Sequence, residues 1–281
     1  MDSEEGLLDI IESLEAPYET SSISRKIELS SRNKQGIEQL DKLLGSLVPY
    51  LQKQQKVGST INPESPLVRF IALQDSFEYN VTSSLLQIYK TLSKQEQSSN
   101  NPETTQILLT CNRLLQGLLL IHPPSRKLFS RKENMKLILH FINEQEQSEN
   151  QSTSFNVIIS FISTLVHILL KNLNNFRTFE SCDGCPIVIQ KLNLQELSSP
   201  NKKATVGGVM SSNLIKNQQD LNFKLIEFLL FYLVDENEVN FDYSTTSSAK
   251  KLSVTEKAEL FRDVFPGIDA LVENLDDLKN L

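Results

Sequence analysis

The chain has 281 residues, a formal net charge of −7, nine glycines and three cysteines. Few glycines among many Leu, Ile, Lys, Glu and Gln residues favour helices over a turn-rich β fold. The mild negative charge, with basic residues scattered among acidic ones, argues against nucleic-acid binding, and the few cysteines with an acidic first segment predict a reducing, intracellular location.

Apolar residues at helical spacing begin near the start of the chain. The first predicted helix ends before Pro17, and the polar residues 18–34 follow it without a clear pattern. A second apolar stripe runs over residues 37–51. We expect Pro49 to break or kink this second helix, because proline lacks an amide donor and clashes with the preceding turn.

Capping residues and prolines predict where the later helices begin. Pro66 follows a serine and opens a long helical stretch, which we expect to divide into two helices near Asn80. Pro102 opens the next helix after a polar stretch. Near the C-terminus, Ser253 and Glu256 have the spacing of a capping box and predict another helix start.

Two segments, 155–171 and 221–234, are apolar on nearly all sides and predict strongly buried helices. None of the apolar runs is long and uninterrupted enough to predict membrane insertion. Polar stretches between the helices predict loops near 93–106, 143–154, 193–219 and 235–252. We therefore expect one all-α domain over residues 1–281.

Three segments share one repeated pattern: Asn or Gly, two residues, three apolar residues, two residues, and a further apolar residue. The segments begin at Asn134, Gly184 and Gly267, and each follows a phenylalanine, namely Phe129, Phe179 and Phe261. The pattern predicts a short helix, a turn in which Gly or Asn accepts left-handed backbone angles, and a longer helix, with the phenylalanine filling the seam. Any amphipathic helix after a glycine would look similar, but the matching phenylalanines favour an irregular armadillo/HEAT-like helical repeat, an α-α superhelix.

Cys182 and Cys185 form a CxxC motif. A redox motif of this kind opens a helix after a β-strand, and a zinc site needs two more ligands at suitable spacing. The sequence supplies neither context, so we interpret the pair as two thiols at a repeat turn. We predict no catalytic residues, no metal and no cofactor.

The stretch LLQGLLLIHPPSRKLFSRKENMKLILHFI, residues 114–142, resembles the fungal septation-initiation-network family called cell division control protein 14. That family is unrelated to the dual-specificity phosphatase of the same name. The resemblance continues at 174–192, 224–233 and 256–275 and covers roughly residues 60–281. It implies a non-catalytic protein that binds a Ste20/germinal-centre-type protein kinase in cytokinesis and septum formation. Further implied partners are other septation network proteins, and the implied locations are the cytoplasm and the spindle pole body.

Polar residues inside these blocks are candidate contacts for a protein partner. They are His122, Ser125, Arg126, Arg131, Asn175, Arg177 and Glu180. For Arg126 and Arg177 we favour the other interpretation, that they cap helix ends or pair with carboxylates inside the stack. Two other functions stay open, namely a general armadillo-type adaptor for a peptide or a small GTPase, and an enzyme that uses the CxxC motif.

Overall fold

The computed structural model describes residues 4–20, 27–54, 63–94, 102–143, 151–192, 212–241 and 249–279. The chain consists of two compact units, Met1–Leu128 and Phe129–Leu281. The all-α prediction is confirmed, because helices make up nearly all of the regular structure in the described residues. The expectation that the chain forms a single domain stays a prediction.

In its described residues, the first unit is built on five α-helices. They are α1 (Glu4–Leu14), α2 (Ser31–Gln54), α3 (Pro66–Gln74), α4 (Val81–Leu92) and α5 (Pro102–Ile121), with a 3₁₀ helix at Phe77–Tyr79. Helix α2 packs against α1, α3 and α5, and α4 packs against α1 and α5. Two strands, β1 (Glu19–Thr20) and β2 (Ile27–Glu28), pair antiparallel between α1 and α2. This small ladder lies in the polar segment 18–34, where no periodic pattern predicted an element.

The second unit follows a 3₁₀ helix at Pro123–Ser130. Its helices are α6 (Lys132–Asn143), α7 (Gln151–Leu169), α8 (Leu173–Glu180), α9 (Gly184–Ile189), α10 (Ser212–Tyr232), α11 (Val254–Arg262) and α12 (Ile268–Lys279). The pair α7 and α10 forms the most extensive helix contact of this unit. Helix α6 packs against α7, α8 and α9, and α9 packs against α11.

The three repeat segments lie at junctions between helices, but the predicted longer helix is missing in the second, where α8 has eight residues and α9 has six. Each repeat phenylalanine sits at the end of a short helix or just before the next one, and all three side chains are fully buried. The predicted reason for the glycine is wrong at Gly184, because the left-handed residue of that turn is Asp183, with a φ of 58°. Gly184 is required instead by close contact, since a Cβ there would lie 2.2 Å from carbons of the Phe179 ring.

Several predicted boundaries agree with the structure. Helix α1 ends before Pro17, Asn80 caps α4 by accepting a hydrogen bond from the Ser83 amide, and the capping box of Ser253 and Glu256 is complete. Pro49, by contrast, does not break α2, which continues to Gln54. The carbonyl left without a donor is that of an exposed glycine four residues earlier, so water can hydrogen-bond to it.

Helix α5 begins at Pro102 as predicted, whereas α7 and α10 begin inside predicted loops, at Gln151 and Ser212. Their first turns are polar, so they carry no apolar periodicity, but a helix that nucleates in its apolar part extends through such residues at little cost. The middle of the long predicted loop, 193–211, lies outside the described residues. The segments 235–241 and 249–252 are non-helical, as predicted.

Candidate functional site

His122 occupies the C-terminal end of α5 and is buried. Its Nδ1 lies 2.8 Å from the Ser125 hydroxyl, and its Nε2 lies 3.0 Å from a carboxylate oxygen of Asp75. The Asn80 side-chain amide donates to the same Ser125 hydroxyl at 3.1 Å. These contacts tie the end of α5 to the junction between α3 and α4, so His122 and Ser125 are parts of the internal packing of the first unit.

Arg126 is also buried. Its Nη2 donates a hydrogen bond of 2.9 Å to the carbonyl of Leu119, in the last turn of α5. An arginine at this place satisfies a carbonyl that has no partner within the helix and complements the negative end of the helix dipole. The helix-capping interpretation of Arg126 therefore agrees with the geometry.

Asn175 has no exposed surface. Its side-chain oxygen accepts a hydrogen bond from the Ser130 hydroxyl at 2.7 Å, and its amide donates to the Ile168 carbonyl at 2.8 Å. The backbone amide of Asn175 donates to the side chain of Asn172, which caps α8. Asn175 thus joins the start of α8 to the end of α7 and to the segment that precedes α6.

Arg177 and Glu180 belong to a half-buried ionic cluster on α8. Arg177 Nη2 lies 2.8 Å from Glu180 Oε1 and 2.6 Å from Glu236 Oε1. Its Nη1 donates to the Lys250 carbonyl at 2.9 Å. Arg177 therefore connects α8 to the two non-helical segments between α10 and α11, in agreement with the carboxylate-pairing interpretation.

Lys257 completes this cluster from α11 with a side chain that is only 1% exposed. Its Nζ donates to the carbonyls of Tyr232 and Val234, at 2.7 and 2.9 Å, and lies 3.1 Å from Glu236 Oε1. It also lies 4.9 Å from the centre of the Phe176 ring. Lys257 thus caps the C-terminus of α10, as expected of a cation at the negative end of a helix.

Burial changes the proton affinities in this cluster. Burial raises the pKa of Glu180, and the hydrogen bond from Tyr232 and the charge of Arg177 oppose that rise only in part. Burial likewise lowers the pKa of Lys257, against the opposing charge of Glu236. The cluster holds two cations and two carboxylates in close contact, and its hydrogen bonds and ion pairs connect α8, α11 and the segment that follows α10.

The sequence did not predict that Tyr232, Glu236 and Lys257 belong to this cluster. One signal was available for Lys257, which stands one helical turn before the buried Phe261 and therefore on the same face of α11. Glu236 gave no such signal, because it lies in a segment without periodicity.

Arg131 differs from the other predicted contact residues because it is exposed. In the part of the chain that the structure describes, its guanidinium makes no hydrogen bond or ion pair. Of the seven candidates, His122, Ser125, Arg126 and Asn175 are buried, and Arg177 and Glu180 are half-buried. Their direct contact with a protein partner stays a prediction.

Helix α10 is less buried than the sequence predicts. Its inner face packs on α7, whereas Ile215, Phe223 and Leu230 are 40%, 62% and 42% exposed. Their spacing is close to two helical turns each time, so the three side chains share one face. These three side chains are called the apolar stripe of α10 below.

The two CxxC cysteines are free and buried. Burial raises the pKa of Cys185 to about 12, and its Sγ lies 3.6 Å from the Tyr232 hydroxyl. A thiol that stays protonated at neutral pH is a poor nucleophile and a poor metal ligand. Among the described residues, no group of three or more His, Cys, Asp and Glu side chains could hold a metal ion.

No helix of the described part is long and apolar enough to cross a lipid bilayer.

Comparison with known proteins adds a family assignment to this geometry. The family model described as "Cell division control protein 14, SIN component" matches residues 8–250. The curated Cell division control protein 14 of Schizosaccharomyces pombe is 26% identical over 212 residues, which are 74% of this chain and 75% of that protein. No solved structure shows significant similarity to the chain.

Proposed function

The chain belongs to the family of cell division control protein 14, the SIN component, and we propose that it is a non-catalytic subunit that binds a Ste20/germinal-centre-type protein kinase. SIN denotes the septation initiation network, so membership gives the chain a role in septation and cell division. The kinase partner goes beyond family membership and is our proposal. With it we propose other septation network proteins as further partners, and the cytoplasm and the spindle pole body as the locations.

The apolar stripe on α10 carries this proposal. Ile215, Phe223 and Leu230 form an exposed row of apolar side chains, with charged side chains exposed between them, on a helix whose other face is anchored in the core. The centre of a stable protein interface is apolar and rich in aromatic side chains, and Phe223 supplies such an anchor. A kinase domain that covers this row would bury a surface that is otherwise left in water.

The internal geometry supports a binding role over a catalytic one. The titratable groups brought together around Arg177, Glu236 and Lys257 satisfy one another, and burial keeps the Cys185 thiol protonated by raising its pKa to about 12. We propose that the buried candidate residues affect kinase binding indirectly, by fixing the helices that carry the surface. Arg131 is the candidate that could touch a partner directly.

Copurification tests the proposal. The intact chain is expressed with an affinity tag in a fungal cell, and the eluate is examined by mass spectrometry for a germinal-centre-type kinase in stoichiometric amount. Replacing Phe223 and Leu230 by serine should reduce the recovered kinase about tenfold or more, because hot-spot truncations cost about 2 kcal/mol or more each. The matched control replaces Phe77 and Leu120, which are 84% and 54% exposed, by serine.

Three outcomes separate the possibilities. Kinase recovered with the control variant but lost with the α10 variant supports both the partner and the surface. Kinase lost with the control variant alone supports the partner and moves the surface to the first unit. Absence of any kinase from the eluate of the unaltered chain contradicts the proposal, and the general armadillo-type adaptor for another protein or peptide becomes the leading function.

A further inference from the structure

Arg131, Lys132 and Lys136 place three exposed cations at the start of α6. Lys132 and Lys136 are four residues apart on the helix, so their side chains are neighbours on one face, and Arg131 directly precedes them. The opposite face of α6 is buried against α7, α8 and α9. These three residues are called the basic patch below.

The cations of the basic patch have no partners within the described residues. This distinguishes them from most described Lys and Arg residues of the second unit. Those that hydrogen-bond or pair with other groups are Arg177, Lys191, Lys224, Lys250, Lys257 and Arg262. The exposed Lys171 and Lys216 stand singly in the sequence. Glu133 lies between Lys132 and Lys136 in the sequence but forms no ion pair with the basic patch among the described residues. The positive charge of the patch is therefore only partly offset.

The position of the basic patch works against the stability of α6. Arg131 and Lys132 lie at the N-terminal end of α6, where cations oppose the helix dipole, and Lys132 and Lys136, four residues apart, repel each other. Each effect costs a fraction of a kcal/mol. The chain has more acidic than basic residues. Its composition therefore does not explain why cations occupy these three positions.

We propose that the basic patch is a docking surface for an acidic protein segment, one rich in Asp and Glu. Carboxylates of such a segment would pair with the three cations and relieve their mutual repulsion. Nucleic acid fits less well, because the chain carries a net charge of −7 and no aromatic side chain lies among the three cations. The basic patch shares Arg131 with the candidate kinase contacts but not the apolar stripe on α10, so its failure would leave the stripe as the proposed kinase-binding surface.

A peptide-binding measurement tests the basic patch. A short fluorescent peptide of Asp and Glu is titrated with the intact chain, and anisotropy is recorded at low and at raised salt. The test variant is Arg131→Gln, Lys132→Gln, Lys136→Gln. The control variant is Arg69→Gln, Lys42→Gln, Lys94→Gln, which removes the same residue types from exposed positions without ion-pair partners among the described residues.

The test variant should bind the peptide about tenfold more weakly, and the control variant should bind within about twofold of the unaltered chain. Raised salt should weaken binding of the unaltered chain and bring it close to that of the test variant. Thermal unfolding should not shift downward in the test variant, since the removed charges oppose the helix dipole.

Equal weakening in both variants, or no weakening in either, would overturn the proposal, because binding would then depend on overall charge or on another surface. A patch-dependent affinity for single-stranded DNA or for phosphatidylserine vesicles that exceeds the affinity for the peptide would overturn it as well. It would assign the basic patch to a different class of partner.

Discussion

The ring of Phe179 lies directly against Gly184, so that a Cβ at residue 184 would come within 2.2 Å of the ring carbons Cδ2 and Cε2. Phe179 has no room to move away, because it is fully buried and contacts the rings of Phe228 and Tyr232. In this segment of the repeat, the five-residue spacing of Phe179 and Gly184 therefore corresponds to a close contact. The short helix α8 and the following α9 approach each other only because residue 184 has no side chain.

Gly184→Ala should destabilise the protein by about 1–3 kcal/mol, since overpacking of a dense core forces side chains or backbone to shift. Urea unfolding followed by circular dichroism measures this loss. Gly117→Ala is the control, because a Cβ at residue 117 of α5 has no neighbour within 4 Å. That control should gain about 0.5–1 kcal/mol from helix propensity. Equal stability of the two variants would contradict the close-contact role of Gly184.

Lys257→Met should destabilise the protein by about 3–5 kcal/mol, because it leaves the buried charge of Glu236 less compensated and the carbonyls of Tyr232 and Val234 without this donor. Urea unfolding followed by circular dichroism measures this loss of stability. Lys250→Met, at an exposed ion pair with Glu256, should cost less than about 1 kcal/mol.

A double variant keeps this prediction testable if Lys257→Met folds poorly. Adding Glu236→Gln removes the uncompensated charge, so the double variant should recover part of the lost stability. If Lys257→Met is as mild as Lys250→Met, the buried pair does not hold α11 to α10 in the way proposed.

Local features of the sequence predicted the helices well. Asn80 and Ser253 satisfy free amides at helix starts, and their role depends only on neighbouring residues. The predicted break at Pro49 is absent because the cost of a proline depends on whether the freed carbonyl can reach water, and local sequence does not show that exposure. The repeat phenylalanines were predictable because they recur, although the reason for the glycine after Phe179 was not.

The candidate site was less predictable than the fold. Glu236 pairs with Arg177 from a segment far along the chain, and nothing local marks such a partner. The apolar stripe of α10 was hidden by composition, because residues 221–234 are apolar on nearly all sides whether or not one side is covered. Only the packed structure separates the face on α7 from the face in solvent.

Glu180 makes stability depend on pH in a defined direction. Burial raises its pKa in the folded state, so the folded protein holds a proton that the unfolded chain has already lost. The stability that protonated Glu180 contributes is fully present below the ordinary glutamate pKa of about 4.3. It is lost as the pH rises through the higher pKa of Glu180 in the folded state. Glu180→Gln removes this titration, so the unaltered chain should lose stability relative to the variant as the pH rises across that window.

Urea midpoints from pH 4 to pH 7 measure that difference. The control is Glu238→Gln, at an exposed position in the segment after α10. The difference in urea midpoint between Glu238→Gln and the unaltered chain should change little from pH 4 to pH 7. A stability of the unaltered chain that rises relative to Glu180→Gln over this range would show that ion pairing with Arg177, rather than burial, controls Glu180.

The cysteines should react only when the protein unfolds. Burial raises the pKa of both Cys111 and Cys185 to about 12, and Cys182 is also buried. Because the thiolate is the reactive form, iodoacetamide at neutral pH should leave the native protein almost unmodified and modify all three cysteines in urea, as intact mass spectrometry would detect. Cys111→Ala serves as a control, because it should reduce the count by one in urea and leave the native result unchanged. Rapid native modification of Cys182 or Cys185 would contradict the burial and restore the CxxC motif as a candidate redox site.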